Sequence, residues 1–315
     1  MIKKDIYGGN LKDRLKASAK DRLYRFIMAD GTLRGAVVHC TRMINEMRSN
    51  HDLGVVETLV LGHGYIAAAL LTATLKGKDR ISIQIQCSGP VKGMDVESNV
   101  FGEIRGYLKN PRFSEAGTGG ESSVSSFFGA GFLTVTKYLE DARTPYSGRI
   151  VMEYGSVAQD LAAYFLQSEQ APTAFNLSIC FDAQGQVSGA GGIFLQAMPG
   201  AVPDVVADAE NVMGSMRSPG QALGSGEAPE TLVADVFGRF VPVFMGNQRI
   251  EFFCRCSREK MAAYLKGLPG QDHRDILAHG PFPLEIRCHN CNTAYAFTLE
   301  DLEALFSGSP GNGQE

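Results

Sequence analysis

Strict alternation marks the clearest element in the chain. ISIQIQC (81–87) places Ile81, Ile83 and Ile85 on one face and Ser82, Gln84 and Gln86 on the other, the period of a half-buried strand. LYRFIMAD (23–30) and LRGAVVHC (33–40) flank Gly31 and predict a hairpin. TRMINEMRSNH follows with Met43, Ile44 and Met47 at helical spacing. LVLGHGYIAAALLTATL (59–75) is apolar on every side, as a membrane span or a buried core helix would be. It is short for a span, contains His63 and begins just after Glu57, so a core helix is expected. MDVES, EIRGYL and FLTVTKYL (132–139) read as further strands, and the Gly/Ser-rich stretch 112–126 as a surface loop. SVAQDLAAYFLQSEQ (156–170) reads as a helix, with Ser156 as N-cap and Leu161, Tyr164 and Phe165 on one face. AFNLSICFD and QVSGAGGIFLQAM then form a hairpin about Asp-Ala-Gln-Gly. The pattern predicts an α+β fold: a mixed α/β N-terminal domain over 1–196, followed by smaller parts.

The pattern weakens after that point. Residues 197–231 are dense in Gly, Pro, Ala and Ser and are expected to be a flexible linker with low local stability. One amphipathic stretch, 204–216, carries Val205, Val206, Val212, Met213 and Met216. A second unit is expected over 232–306, and a disordered tail over 307–315.

Composition changes the picture only modestly. With 44% apolar residues, 315 residues can bury a core. A net charge of −4 argues against a general nucleic-acid binder. The N-terminus MIKKDIYGGNLKDRLKAS has no apolar signal region, which points to the cytoplasm. Thiols stay reduced there, so clustered cysteines read as metal or redox sites.

Four of the seven cysteines are clustered, as C-x-C (Cys254, Cys256) and C-x-x-C (Cys288, Cys291). In extended chain, residues i and i+2 face the same side, so Cys254 and Cys256 can both address one ion. The C-x-x-C suits a turn, with LEIR leading in and AYAF (294–297) returning as partner strand. Four thiolates make a closed tetrahedral Zn²⁺ site, one ion per chain. Ser257 is placed to cap REKMAAYLKGL, which Gly267 can end, and Thr298 to cap a last helix with Leu302, Leu305 and Phe306. A second short helix carries Ile276 and Leu277. With so few apolar residues, the lobe is expected to draw much of its folding free energy from the metal. Chemistry alone leaves two roles open. The zinc could be structural only. Alternatively, zinc-bound thiolates could react with peroxide or hypochlorous acid, with Cys254–Cys256 and Cys288–Cys291 as local disulfide partners.

The sequence resembles the heat shock protein 33 family of redox-regulated holdase chaperones. FFCRCSREK followed by CHNCNTAYAF is similar to that family's C-terminal zinc switch. DRLYRFIMADGTLRGAVV, TLKGKDRISIQIQCSGPVKGM, GFLTVTK, TPYSGRIV, DLAAYFLQSEQ and GAGGIFLQAMPG resemble its N-terminal segments in order. The resemblance implies a helix buried between two sheets, a mobile linker and a small zinc-binding lobe with four cysteine ligands. It implies an ATP-independent chaperone, inactive while reduced and zinc-bound. Oxidation to two disulfides would release zinc, unfold lobe and linker, and expose surface for unfolded client proteins, usually in a homodimer. Client binding is expected to involve Val205, Val206, Val212, Met213 and Met216. Asn290 stands where the pattern leads one to expect an apolar or aromatic residue.

Rival readings are weaker. No H-x-E element accompanies the cysteines, four thiolate ligands leave no open position for water, and neither a G-x-S-x-G elbow nor a P-loop is present. An enzyme is therefore not expected. GAGG (189–192) is read as serving strand packing and Glu169 as a surface group. A structural zinc ribbon binding nucleic acid or ribosome is the alternative, but acidic residues offset Arg255, Arg258, Lys260 and Arg287. No membrane or nucleic-acid partner is expected. Cys40, Cys87 and Cys180 are expected to be buried and inert.

Overall fold

The computed structural model describes residues 1–6, 8, 21–116 and 124–307. Most of the polar N-terminal segment, the centre of the Gly/Ser-rich loop and nearly all of the expected tail lie outside the described residues. The chain divides into two compact units: Lys4–Phe253, and Met1–Lys3 together with the chain from Cys254 onward.

The larger unit holds two sheets. The hairpin of β1 (Arg22–Met28) and β2 (Leu33–His39) turns through Ala29, Asp30 and Gly31, all at positive φ. Helix α1 (Thr41–His51) and helix α2 (Val55–Leu71) follow. Next come β3 (Arg80–Cys87), β4 (Gly93–Asn99), β5 (Glu103–Leu108), β6 (Gly131–Tyr138) and β7 (Tyr146–Val151). Helix α3 (Val157–Glu169) is capped by Ser156, whose Oγ accepts from the Gln159 N–H as its sequence position predicts. The hairpin β8 (Thr173–Phe181) and β9 (Val187–Ala197) closes the first part of the chain.

After a helical segment come β10 (Val243–Arg249) and the two-residue β11 (Glu251–Phe252). One sheet has the order β10-β1-β2-β9-β8 and the other β11-β5-β4-β3-β6-β7. Pairing is antiparallel throughout, except where β11 lies parallel to β5. Ile81, Ile83 and Ile85 are fully buried, as their alternation requires.

Helix α2 packs against strands of both sheets. Its glycines show how tightly. A Cβ on Gly62 would lie 2.4 Å from Cδ1 of Ile179 in β8, and one on Gly64 would lie 2.7 Å from Sδ of Met94 in β4. Extended to Thr74, the helix is long and apolar enough to cross a membrane, but 78% of its most apolar window is buried within the unit.

The segment expected to be a weakly packed linker is helical and packed. It forms α4 (Pro203–Ser215), α5 (Pro219–Gly224) and α6 (Pro229–Phe237), each opening on a proline. Proline's fixed φ and missing N–H suit a first helical turn, so residues that suggest loop here begin helices instead. The three helices cover the sheet face opposite α2. Met213, Leu223, Leu232 and Phe237 form one buried cluster with Phe26, Val37 and Ile193. Alternation along β9 separates the two faces: a Cβ on Gly191 would meet Leu223, and one on Gly192 would meet Ile66 of α2.

This packing also corrects the boundary expected at 232. Leu232, Val233 and Phe237 belong to the larger unit's core, β10 pairs with β1 and β11 with β5, so the smaller unit begins at Cys254. That unit contains α7 (Arg258–Lys266), α8 (Gly270–His279), a hairpin of β12 (Leu284–Arg287) and β13 (Ala294–Phe297), and α9 (Leu299–Ser307).

Candidate metal centre

The smaller unit is organised around its four cysteines. Cys254 and Cys256 lie not in a strand but in a segment without regular structure ahead of α7, whose N-cap Ser257 accepts from the Lys260 N–H and whose end is capped by Gly267. Cys288 and Cys291 lie in the turn between β12 and β13. The Cys291 and Asn292 N–H groups donate to the Cys288 carbonyl, and the Cys288 N–H donates to Thr293 O. Asn292 adopts positive φ to close the turn. Asn290 is partly buried within it.

Ion pairing and caps hold the surrounding elements. Arg258 bonds Asp301 at 2.7 Å and lies 4.5 Å from the Phe297 ring centroid. Thr298 Oγ1 accepts from the Asp301 N–H, which confirms the cap of α9. The His273 ring stacks on Phe306 at 3.9 Å, and its Nε2 lies 2.9 Å from Leu265 O, joining α7, α8 and α9. Ile2 joins the same unit through Thr293 Oγ1, which accepts from its N–H at 3.2 Å.

All four Sγ atoms are buried and lie within 4.8 Å of one another. Cys254 Sγ is 3.8 Å from Cys288 Sγ, and Cys256 Sγ is 3.4 Å from Cys291 Sγ. Zinc–sulfur bonds of about 2.3 Å in a tetrahedron imply sulfur–sulfur edges of about 3.8 Å. The cluster is therefore of a size that could hold one metal ion, and its all-sulfur donor set suits tetrahedral zinc.

Electrostatics also favour a cation. Hydrogen bonding with Cys254 and burial push the Cys288 thiol up to about 11, and the Cys254 and Cys288 sulfurs with burial push Cys291 far up. Deprotonating several of these thiols side by side needs a positive charge among them.

Two hydroxyls adjoin the sulfurs: Tyr295 Oη is 3.1 Å from Cys256 Sγ, and Thr293 Oγ1 is 3.3 Å from Cys291 Sγ. The sequence shows AYAF as a returning strand, but not that this strand aims a tyrosine at a sulfur.

The other expected residues are placed differently. Val205, Val206, Val212 and Met213 lie on α4 and Met216 follows it, all in the larger unit and packed on the first sheet. Among the remaining thiols, Cys40 is buried as expected, and burial holds its pKa well above the usual range. Cys87 and Cys180 are only partly buried, because each lies near the end of its strand. Glu169 pairs with Lys137 at 2.5 Å, so it is part of a salt bridge.

Comparison with known proteins agrees with this architecture. The family model described as Hsp33 protein matches residues 21–298. The 33 kDa chaperonin of Agathobacter rectalis is 34% identical over 287 residues, covering 90% of this chain and 99% of that protein. The 33 kDa chaperonin of Desulforamulus reducens is 33% identical over 287 residues, covering 91% and 97%. The crystal structure of the 33 kDa chaperonin (heat shock protein 33 homolog) from Thermotoga maritima aligns with a TM-score of 0.82 at 30% identity, covering 91% of this chain and 98% of that one. The two-sheet domain, the clustered cysteines and these matches together make the chain a member of the Hsp33 family.

Proposed function

We propose that this protein is an ATP-independent holdase chaperone switched on by oxidants. The observation that carries the reading is the buried cluster of four cysteine sulfurs within 4.8 Å of one another. Membership of a family of chaperones supplies the activity being switched.

In the reduced state Cys254, Cys256, Cys288 and Cys291 hold one zinc ion. Bound zinc supplies the positive charge that keeps four neighbouring sulfurs as thiolates and ties the C-x-C to the C-x-x-C. Peroxide oxidises one thiolate of a pair to a sulfenic acid, with water leaving after protonation. Its partner sulfur then attacks to form the disulfide and expel a second water. Two pairs consume two peroxides, and all four ligands are lost.

The proposed disulfides are Cys254–Cys256 and Cys288–Cys291. These partners stay neighbours in a loosened lobe, whereas 34 and 35 positions separate the partners that touch across the cluster.

A lobe without its metal unfolds, and loss of α4–α6 from their sheet follows. Detachment bares both surfaces of one apolar contact: Phe26, Val37 and Ile193 on the sheet, and Met213 with the partly buried Val205, Val206, Val212 and Met216 on the helix side. Exposed apolar area of this kind binds unfolded chains. The active form is a homodimer in the cytoplasm, and its partners are unfolded proteins.

The test is light scattering from a thermally unfolding client in the presence of zinc-loaded reduced protein or peroxide-treated protein. Suppression of aggregation by the oxidised sample alone is expected. Equal suppression by both would remove redox control. Absence of suppression, together with salt-sensitive RNA binding, would favour the zinc-ribbon alternative.

A further inference from the structure

The Tyr295 hydroxyl has one hydrogen-bond partner among the described residues, Cys256 Sγ at 3.1 Å. The strand β13 dictates that aim. Tyr295 and Phe297, two apart, both point into the small core, while Ala294 and Ala296 alternate away. Across the hairpin Tyr295 pairs with Ile286 of β12, which fixes its register. It is 8% exposed, so the side chain is largely shielded from solvent. A thiolate has no proton to give. Once Cys256 is a metal ligand, the tyrosine O–H is the donor in this contact.

We infer that Tyr295 is a positioning residue of the metal centre, whose O–H donates to the Cys256 thiolate and holds down that sulfur's reactivity towards oxidants. This rests on the redox reading above and adds to it the residue that sets how readily the switch opens. A charge-assisted hydrogen bond draws electron density from the sulfur lone pair. The sulfur is then a weaker nucleophile towards peroxide and a better-stabilised ligand. Outer groups that orient metal ligands in this way influence affinity as well as reactivity.

The experiment compares wild type with Tyr295→Phe, which removes one oxygen and keeps the ring. Both are loaded with Co²⁺, and the sulfur-to-cobalt charge-transfer band is recorded. Zinc affinity is then measured by chelator competition, and zinc release is followed at a fixed peroxide concentration. The expected result is a band displaced to lower energy in Tyr295→Phe, zinc bound about tenfold more weakly, and faster release. Replacing the residue by 3-fluorotyrosine keeps the packing and strengthens the donor, so its band is expected to move the opposite way. It also supplies the decisive reading if Tyr295→Phe fails to take up metal.

An unchanged band in either substituted protein would overturn the inference. So would a displaced band with unchanged release where wild type does lose its zinc to peroxide. The cobalt band reads the contact whether or not the protein is a redox switch. If wild type keeps its zinc under peroxide while the band still shifts, the switch reading fails and the contact itself stands.

Discussion

Cys254 Sγ and Cys288 Sγ lie 3.8 Å apart, although 34 positions separate them in the chain. Reduced and without a cation, that proximity opposes ionisation of these buried thiols, and hydrogen bonding with Cys254 is the leading reason the Cys288 thiol is pushed up to about 11. A zinc ion among these sulfurs, as proposed, would turn the same proximity into a link holding C-x-C to C-x-x-C.

The first prediction concerns those ligands. Cys288→Ser removes one of four sulfurs, and its zinc content, measured after gel filtration, is expected to fall well below one per chain. Protease should then cut the lobe beyond Phe253 first and leave a fragment ending there, whose α4–α6 are cut in turn as they leave their sheet, since metal affinity here is folding free energy. Chelating the metal from reduced wild type should give the same fragment. A variant that keeps full zinc and protease resistance contradicts the ligand set.

Helix α5 sits directly on β9. A Cβ at Gly189 would lie 2.1 Å from the Gly220 carbonyl oxygen and 3.0 Å from the Gly224 Cα, so Gly189→Ala must push backbone away. Phe237, fully buried with its ring centroid 6.5 Å from that of Phe26, anchors α6. Truncating it to alanine is expected to cost about 3–5 kcal/mol. Both variants should loosen α4–α6 and suppress client aggregation without oxidant while retaining zinc. Zinc-loaded variants as inactive as reduced wild type would show that the covered sheet face is not the client surface.

Asp21 gives the fold a pH dependence. Its carboxylate accepts from the Met43 N–H at 2.7 Å and the Arg42 N–H at 3.3 Å at the start of α1. Burial outweighs these bonds and raises its pKa from 3.8 to about 7. Because the folded state holds this proton more tightly than the unfolded chain, the folded state binds more protons between those two values. Asp21's contribution to stability is therefore fully present below the unfolded value and is lost as pH rises through the folded one, with a slope of up to about 1.4 kcal/mol per pH unit. Urea denaturation of wild type and Asp21→Asn across this range should show that falling contribution in wild type and its absence in the variant. Parallel curves would contradict it.

How much of this is legible in the sequence follows from the kind of signal each element carries. Ile81, Ile83 and Ile85 announce their strand by alternation, and Ser156, Ser257 and Thr298 announce helix starts through local capping chemistry. The cysteine pairs announce their site by spacing. The linker does not read as three packed helices. Pro203, Pro219 and Pro229 signal both loops and first helical turns, and only the facing sheet shows which applies. GAGG reads correctly as a packing motif, but its partner, Gly220 on α5, lies far along the chain. Strand β10 is hard to see because VFMGNQR has no clean alternation and is mostly exposed along an edge. Tyr295 is invisible as a sulfur partner because β13 reaches Cys256 only through the fold.

The central claim is that oxidation of these four thiols and loss of the metal are one event. The measurement is a peroxide titration of reduced, zinc-loaded protein, with free zinc, remaining thiols and disulfide positions determined at each step. The account predicts release of about one zinc per chain as Cys254–Cys256 and Cys288–Cys291 form, with reversal by reductant and added zinc. Zinc that stays bound after all other thiols have been oxidised, or zinc lost while these four remain reduced, would contradict it.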